Sequence, residues 1–127
     1  MIAAMMGAIA FQKGLGAVHS LAHPLSSEFG MHHGTSNAVL LPAVLEFNRA
    51  SVPDRFADLA HVLGKDVAEC TRELNEITGI APRLRDYGIP ENALPALAEK
   101  AAEDGCHLLN PRPCSSSDLL RLYQAAW

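Results

Sequence analysis

The chain has 127 residues, of which 49% are hydrophobic and 19% charged, and its formal net charge is −4. This length fits one domain, and the absence of a basic run argues against nucleic acid or an anionic membrane surface as a partner. The three cysteines have no paired spacing, so the sequence predicts no disulfide framework and a reducing, cytoplasmic location.

The first element is a short apolar stretch, residues 2–12. It has no basic segment before it and is too short to cross a bilayer. A helix that is apolar on most sides needs neighbours around it, so we predict a buried helix here. Its apolar residues are Ile2, Ala3, Met5, Met6, Ile9 and Phe11.

Glycines at positions 14 and 16 end this helix, and a second helix is predicted over residues 17–29. Pro24 lies inside it and is expected to kink it just after His23. A third helix is predicted over residues 35–48, with Thr35 or Ser36 as its N-cap.

Four further helices are predicted in the second half of the chain, separated by glycine- and proline-rich segments: 51–64, 66–78, 91–104 and 115–126. The last of them begins with a capping box formed by Ser115 and Asp118. Residues 80–90 and 105–114 are predicted to be irregular. No alternating strand pattern is present, so the sequence predicts seven helices and an all-α fold.

Four of the six histidines lie between Gly14 and Pro42. His19 and His23 are four residues apart and share one face of the second helix, and His33 follows ten residues later, after a glycine turn. Imidazole is the commonest protein metal ligand. Two interpretations remain open on spacing alone: a metal site, or histidines that pack between helices and bond to backbone carbonyls.

The stretch GLGAVHSLAHPLSSEFGMHHGTSNAVLLP resembles the signature of the iron-containing (group III) alcohol dehydrogenases. The resemblance continues in FQK upstream and in NAVLLPAVLEFN, GIPENALPALAEKAAED and NPRPCSSSDLLRLYQAAW downstream, so it covers nearly the whole chain. The sequence departs from the family pattern at Ser26, where glycine is usual, and at His32, where proline is frequent. Ser26 is expected to crowd a close helix approach.

The resemblance implies that His19 and His33 are ligands of Fe²⁺ or Zn²⁺. It also implies that His23 lies beside the metal and the nicotinamide of NAD or NADP and handles a proton. Phe11 and Cys106 match positions that line the substrate pocket in the family. For Phe11, a plain core position is an equal alternative.

The remaining candidates are predicted to have no metal role. His32 is expected to be an exposed turn residue, and Glu28 a solvated carboxylate. His61 and His107 are not assigned to metal. A thiolate nucleophile at Cys106, beside His107, is disfavoured because no third orienting group is evident. The leucines of the last helix, Leu119, Leu120 and Leu122, are predicted to be core.

The resemblance implies a helical bundle like the C-terminal domain of the dehydroquinate synthase-like, iron-containing alcohol dehydrogenase fold, spanning residues 1–127. It implies an NAD(P)-linked enzyme that oxidises small alcohols or reduces aldehydes by metal-assisted hydride transfer, and that forms a homo-oligomer. No GxGxxG, GGGS or βαβ pattern is present, so we expect the nucleotide-binding domain to be missing and the isolated chain to be inactive. The alternatives are a free-standing, non-catalytic metal-binding or dimerisation module, and one part of a split enzyme.

Overall fold

The computed structural model describes residues 1–127 and contains seven α-helices and no strand. The α-helices are α1 (Ile2–Phe11), α2 (Ala17–Phe29), α3 (His33–Asn48), α4 (Pro53–Leu63), α5 (Val67–Ile77), α6 (Leu94–Glu103) and α7 (Ser116–Ala126). Four short 3₁₀ helices span Arg49–Ser51, Leu84–Tyr87, Glu91–Ala93 and Gly105–Leu109. The predictions of seven helices and an all-α fold are confirmed. No helix is both long enough and apolar enough to cross a membrane.

The core is a bundle of α2, α3, α6 and α7. One cluster of 18 buried residues joins these helices, and α5 packs against the outside of α3, with α4 beside it. Leu21 and Leu25 of α2 and Leu40 of α3 are completely buried in this cluster. Burial of apolar area at about 25 cal/mol per Å² is the main stabilising contribution to such a bundle. The bundle fixes α2 and the start of α3, which carry three of the histidines.

Local sequence explains several of the helix ends. The predicted capping box is confirmed at α7, where the Ser115 hydroxyl accepts from the Asp118 backbone N–H and the Asp118 carboxylate accepts from the Ser115 N–H. Helix α2 ends at Gly30, whose φ of 64° is left-handed, so the chain can turn back toward α3. Leu119 and Leu122 are buried and Leu120 packs against the core, as predicted.

The burial predicted for α1 is wrong. The helix forms over Ile2–Phe11, but none of its residues is buried, and Met6 and Phe11 are 63% and 66% exposed. Its sequence is apolar on every side, yet the chain places no element against it. The alternative that Phe11 is a plain core residue is therefore also wrong.

The start predicted for α3 is wrong by two residues. The helix begins at His33 with His32 at the N-cap, and no side chain caps it. Ser36, predicted as a possible cap, is already inside the helix, where its hydroxyl donates to the His32 carbonyl at 3.2 Å. His33 therefore lies in the first helical turn rather than in the preceding loop.

Two other predictions hold only in part. The predicted helix 91–104 begins as the 3₁₀ turn Glu91–Ala93 and becomes α-helical at Leu94, one residue before Pro95. In α4 the helical spacing predicts an inward face of Phe56, Leu59, Ala60 and Leu63, but only Phe56 is buried, and Leu59 and Leu63 are 45% and 41% exposed. The α4 prediction relied on hydrophobic spacing, which does not show whether a neighbouring element covers the apolar face.

Candidate metal site

Three imidazole rings meet where the N-terminal half of α2 faces the first turn of α3. The ring centroids of His19 and His33 are 5.3 Å apart, those of His23 and His33 are 5.4 Å apart, and those of His19 and His23 are 5.9 Å apart. The i, i+4 spacing on α2 places His19 and His23 one above the other, and the turn at Gly30 returns His33 to the same place. The fold thus brings together the three histidines singled out in the sequence.

The separation of His19 and His33 fits two ligands of one ion. Imidazole nitrogens lie about 2.0–2.1 Å from a zinc ion, and the ring centre lies about 1 Å behind the nitrogen, so two tetrahedrally placed rings have centroids about 5 Å apart. Burial lowers the pKa of His19, and the nearby His33 and His23 lower it further against an opposing effect of Asp104. His19 therefore stays neutral over a wider pH range, and neutral imidazole is the form that binds a metal.

Asn37, one turn after His33 on α3, contacts the imidazole of His33. Its amide nitrogen lies 3.0 Å from His33 Nε2, and its amide oxygen is buried without a hydrogen-bond partner. An ion at His33 would therefore either use Nδ1 or displace this amide from Nε2. A cavity of about 380 Å³ adjoins Asn37 and His19 and is lined mainly by apolar residues, among them Leu41 and Leu45.

His23 is oriented by a carboxylate from the far end of the sequence. Its Nδ1 lies 2.6 Å from Asp104 Oδ2, and both side chains are partly buried. The other oxygen of Asp104, Oδ1, accepts from the Ser20 hydroxyl at 2.9 Å and from the Cys106 backbone N–H at 2.8 Å. The carboxylate is therefore held on both sides, by α2 and by the 3₁₀ helix that it caps.

The charge state of Asp104 determines where the proton of His23 lies. Burial alone would raise the pKa of Asp104, but hydrogen bonds from His23, Cys106 and Ser20 hold it well below its usual range. An ionised carboxylate only accepts hydrogen bonds. Nδ1 of His23 must therefore donate to it, and in the neutral ring Nε2 is left as the basic nitrogen.

Cys106 lies beside this pair but is not activated as a nucleophile. Burial, followed by the hydrogen bond to Asp104 and its negative charge, raises the pKa of the Cys106 thiol to about 11. The adjacent His107 is buried and uses Nδ1 to donate to the Asp104 backbone carbonyl at 2.6 Å. Nδ1 of His107 is thus committed to a structural hydrogen bond.

The other singled-out residues lie away from the imidazoles or take structural roles. His32 and His61 are exposed, as expected for His32. Glu28 is exposed and forms an ion pair with Lys100 at 2.5 Å. Ser26 replaces the glycine usual in the resembled pattern, and its hydroxyl oxygen is buried without a hydrogen-bond partner, which is unfavourable for a polar atom.

Sequence reasoning missed Asp104, Ser20 and Asn37. The sequence could have indicated Asn37, because this residue lies one helical turn after His33 and shares its helix face. The sequence pattern marks Asp104 only as the end of a helix before Gly105. It does not indicate the contact with His23, which lies 81 residues away in the chain. Nothing local in the sequence reveals such a long-range pair.

The chain is similar to known proteins in both sequence and structure. A family model described as "Fe-containing alcohol dehydrogenase family, C-terminal" matches residues 1–127. The chain belongs to the iron-containing alcohol dehydrogenase family. It is 41% identical to the 4-hydroxybutyrate dehydrogenase of Cupriavidus necator, over 98% of this chain and 36% of that protein. It is 38% identical to the lactaldehyde reductase of Escherichia coli K12, over 90% of this chain and 33% of that protein.

Solved structures of the family share the helical fold. A crystal structure of a 1,3-propanediol oxidoreductase superposes with a TM-score of 0.84 and 34% identity, over 89% of this chain and 33% of that one. An alcohol dehydrogenase from Oenococcus oeni gives a TM-score of 0.83 and 31% identity. The chain therefore spans about a third of the length of the family members it matches.

Proposed function

We propose that this chain forms the metal-binding, C-terminal part of an NAD(P)-linked alcohol dehydrogenase that oxidises small alcohols or reduces aldehydes. The observation that supports the proposal most directly is the 5.3 Å separation of the His19 and His33 rings in a chain of the iron-containing alcohol dehydrogenase family. The relatives, which include a 4-hydroxybutyrate dehydrogenase and a lactaldehyde reductase, indicate small hydroxylated substrates.

In this proposal His19 and His33 hold Fe²⁺ or Zn²⁺ with further ligands from a nucleotide-binding part of the enzyme. A bound ion would supply Lewis-acid polarisation of the substrate oxygen, and a bound nicotinamide cofactor would supply the hydride chemistry. Two imidazoles alone bind an ion weakly, because affinity rises with the number of preorganised ligands. We therefore propose that the isolated chain is inactive. Activity would require the complete enzyme, which we propose to be an oligomer in the cytoplasm.

His23 handles the proton of the reaction. Asp104 fixes Nδ1–H of the imidazole, so Nε2 is free to accept the alcohol proton during oxidation and to return it during reduction. Because Asp104 is itself held by Ser20 and the Cys106 N–H, the ring has one preferred orientation. This arrangement fits His23 as a proton relay better than as a third ligand of the ion held by His19 and His33.

The proposal assigns the substrate pocket to the side of the site that contains Cys106. A protonated thiol there offers a small, weakly polar wall next to His23, which suits a short alcohol. Phe11 is exposed in this chain and could form a wall of the pocket only if another part of the enzyme packed against α1.

Metal titration tests the assignment of ligands. Calorimetric titration of the purified chain with ferrous ion should show weak binding that is lost in His19→Ala and in His33→Ala. His61→Ala, which removes an exposed histidine on α4, should not change this binding. Unchanged metal binding in both single variants would refute the proposed ligand pair.

A second candidate is a free-standing dimerisation module, which the fully exposed apolar helix α1 favours. Titration with NADH and sedimentation separate the two candidates. Tight NADH binding by the purified chain would contradict the need for a separate nucleotide-binding part. Dimerisation without any metal binding would favour the module.

A further inference from the structure

One set of three potential ligands in the chain has ligand atoms that all lie within 4.8 Å of one another: His23, Asp104 and Cys106. The imidazoles of His19, His23 and His33 do not form such a set, so His23 is grouped with Asp104 and Cys106 rather than with the other two histidines. All three side chains are partly buried. The group combines one ring nitrogen, one carboxylate oxygen and one sulfur.

The carboxylate of this group is preorganised. Ser20 and the Cys106 backbone N–H both donate to Oδ1 of Asp104, and this leaves Oδ2 directed at His23. Ser20 is itself completely buried and also accepts from the His107 backbone N–H at 2.8 Å. Hydrogen bonds of this kind behind a ligand orient it and raise metal affinity.

Asp104 and Cys106 are also fixed relative to each other. Asp104 caps the 3₁₀ helix Gly105–Leu109, and Cys106 is the second residue of that helix. The backbone N–H of Cys106 bonds to the carboxylate, so the two side chains leave the same turn. His23 approaches them from α2, and the bundle core holds α2 in place.

We propose that His23, Asp104 and Cys106 form a second metal site, for zinc, next to the His19–His33 pair. Zinc is a borderline-soft ion that accepts nitrogen, oxygen and sulfur ligands, and three protein ligands with one open position are typical of its reactive sites. Ferrous iron competes poorly for a site that contains a thiolate, so this three-ligand site and the His19–His33 pair differ in metal preference.

The required rearrangement is small. Ligand atoms around a tetrahedral zinc ion lie about 3.3–3.8 Å apart. The ion would replace the proton that now lies between His23 Nδ1 and Asp104 Oδ2, at 2.6 Å, and these two atoms would separate by less than about 1 Å. The sulfur of Cys106 already lies within 4.8 Å of one ring nitrogen of His23 and one carboxylate oxygen of Asp104, and it would move closer.

The reaction balances without any redox step. A Zn–S bond forms as the Cys106 S–H bond breaks, and the thiol proton goes to solvent. The Nδ1 proton of His23 moves to Nε2 when Nδ1 binds the ion. Binding of zinc to the neutral ring of His23, the thiol of Cys106 and the carboxylate of Asp104 therefore releases one proton for each zinc ion.

Zinc at this site would also switch off the proton relay, a consequence that depends on the function proposed for His23. With Nδ1 on the metal, Nε2 carries the proton and can no longer accept one. Excess zinc is therefore expected to inhibit a complete enzyme whose His19–His33 position already holds its ion.

Cobalt provides the direct test, because a thiolate bound to Co²⁺ gives a near-ultraviolet charge-transfer band. Titration of the purified chain with Co²⁺ should produce this band, and added Zn²⁺ should remove it. Cys106→Ser should abolish the band, whereas Cys114→Ser, which changes another partly buried cysteine, should retain it. Asp104→Asn should weaken binding at least tenfold.

The variants also separate this proposal from the previous one. His19→Ala and His33→Ala should keep the cobalt–thiolate band even if they lose the other ion. Calorimetry in two buffers of different ionisation enthalpy should show about one proton released per zinc ion, and fewer in Cys106→Ser. A band that survives Cys106→Ser, or its absence in the unmodified chain, would overturn the second site. Far-UV circular dichroism verifies that each variant is folded.

Discussion

Asn48 and Asn110 form a reciprocal pair of buried amides. Asn48 Nδ2 donates to Asn110 Oδ1 at 3.1 Å, and Asn110 Nδ2 donates to Asn48 Oδ1 at 2.7 Å. Asn110 Oδ1 also accepts from the backbone N–H of Ala17, at the first turn of α2, at 3.3 Å. One side chain thus joins the end of α3 to the start of the helix that carries His19 and His23.

Asn110→Ala should therefore destabilise the fold. The substitution leaves the Ala17 N–H and the Asn48 amide buried without partners, and each unsatisfied group costs about 1–3 kcal/mol. We expect a loss of about 2–4 kcal/mol in the free energy of unfolding, measured by urea denaturation. Asn92→Ala, at an exposed position, should change it by less than about 0.5 kcal/mol. Equal stability of both variants would show that the amide pair is dispensable.

The pair also shows what local sequence patterns leave out. Helix α2, the capping box at Ser115 and the absence of strands follow from signals within a few residues, and the structure agrees with them. Asn110 and Asp104 act over 93 and 81 residues, respectively, and look locally like ordinary loop and helix-end residues. Their roles depend on tertiary packing, which spacing and propensity do not encode.

The imidazole cluster was only partly predictable from the sequence. The four-residue spacing places His19 and His23 on one face, but only the turn at Gly30 brings His33 beside them. The burial of α1 was mispredicted because a sequence of apolar residues shows the need for a partner, not its presence.

Tyr123 should make the fold sensitive to alkali. Its hydroxyl donates to the Leu21 carbonyl at 2.5 Å, between the two histidines of α2, and burial raises its pKa above the ordinary value of about 10. The unfolded chain therefore ionises this phenol first. Its stabilising contribution is complete below about pH 10 and is lost progressively as the pH rises from there toward the folded-state pKa.

Thermal unfolding between pH 8 and pH 11 tests this expectation. The midpoint should fall above about pH 10 in the unmodified chain, and the fall should be smaller in Tyr123→Phe. That variant should also lose about 1 kcal/mol at neutral pH, because the Leu21 carbonyl loses its hydrogen bond. Tyr87→Phe, which changes the other tyrosine, should keep the alkaline fall. An identical pH profile in Tyr123→Phe would assign the effect to another group.

Asp104→Asn should change the tautomer of His23. The ionised carboxylate requires the proton of His23 on Nδ1, whereas an amide can either donate or accept and so permits both tautomers. Nitrogen-15 NMR of the histidine side chains, recorded on the metal-free chain at a pH where the rings are neutral, should show Nδ1–H for His23 in the unmodified chain and a mixture in the variant. Asp86→Asn, at an exposed position of another 3₁₀ helix, is the matched control. A fixed Nδ1–H tautomer in Asp104→Asn would mean that another acceptor orients the ring.

Helix α1 should contribute to association rather than to folding. Ile9 is 58% exposed and α1 contains no buried residue, so Ile9→Glu should change the free energy of unfolding by less than about 0.5 kcal/mol. Leu40→Ala, at a completely buried position, should cost about 2–5 kcal/mol. An exposed helix that is apolar on every side is also a surface for self-association. Sedimentation velocity should therefore show association of the unmodified chain that Ile9→Glu weakens, whereas a monomeric unmodified chain at high concentration would show that α1 does not mediate contacts between copies.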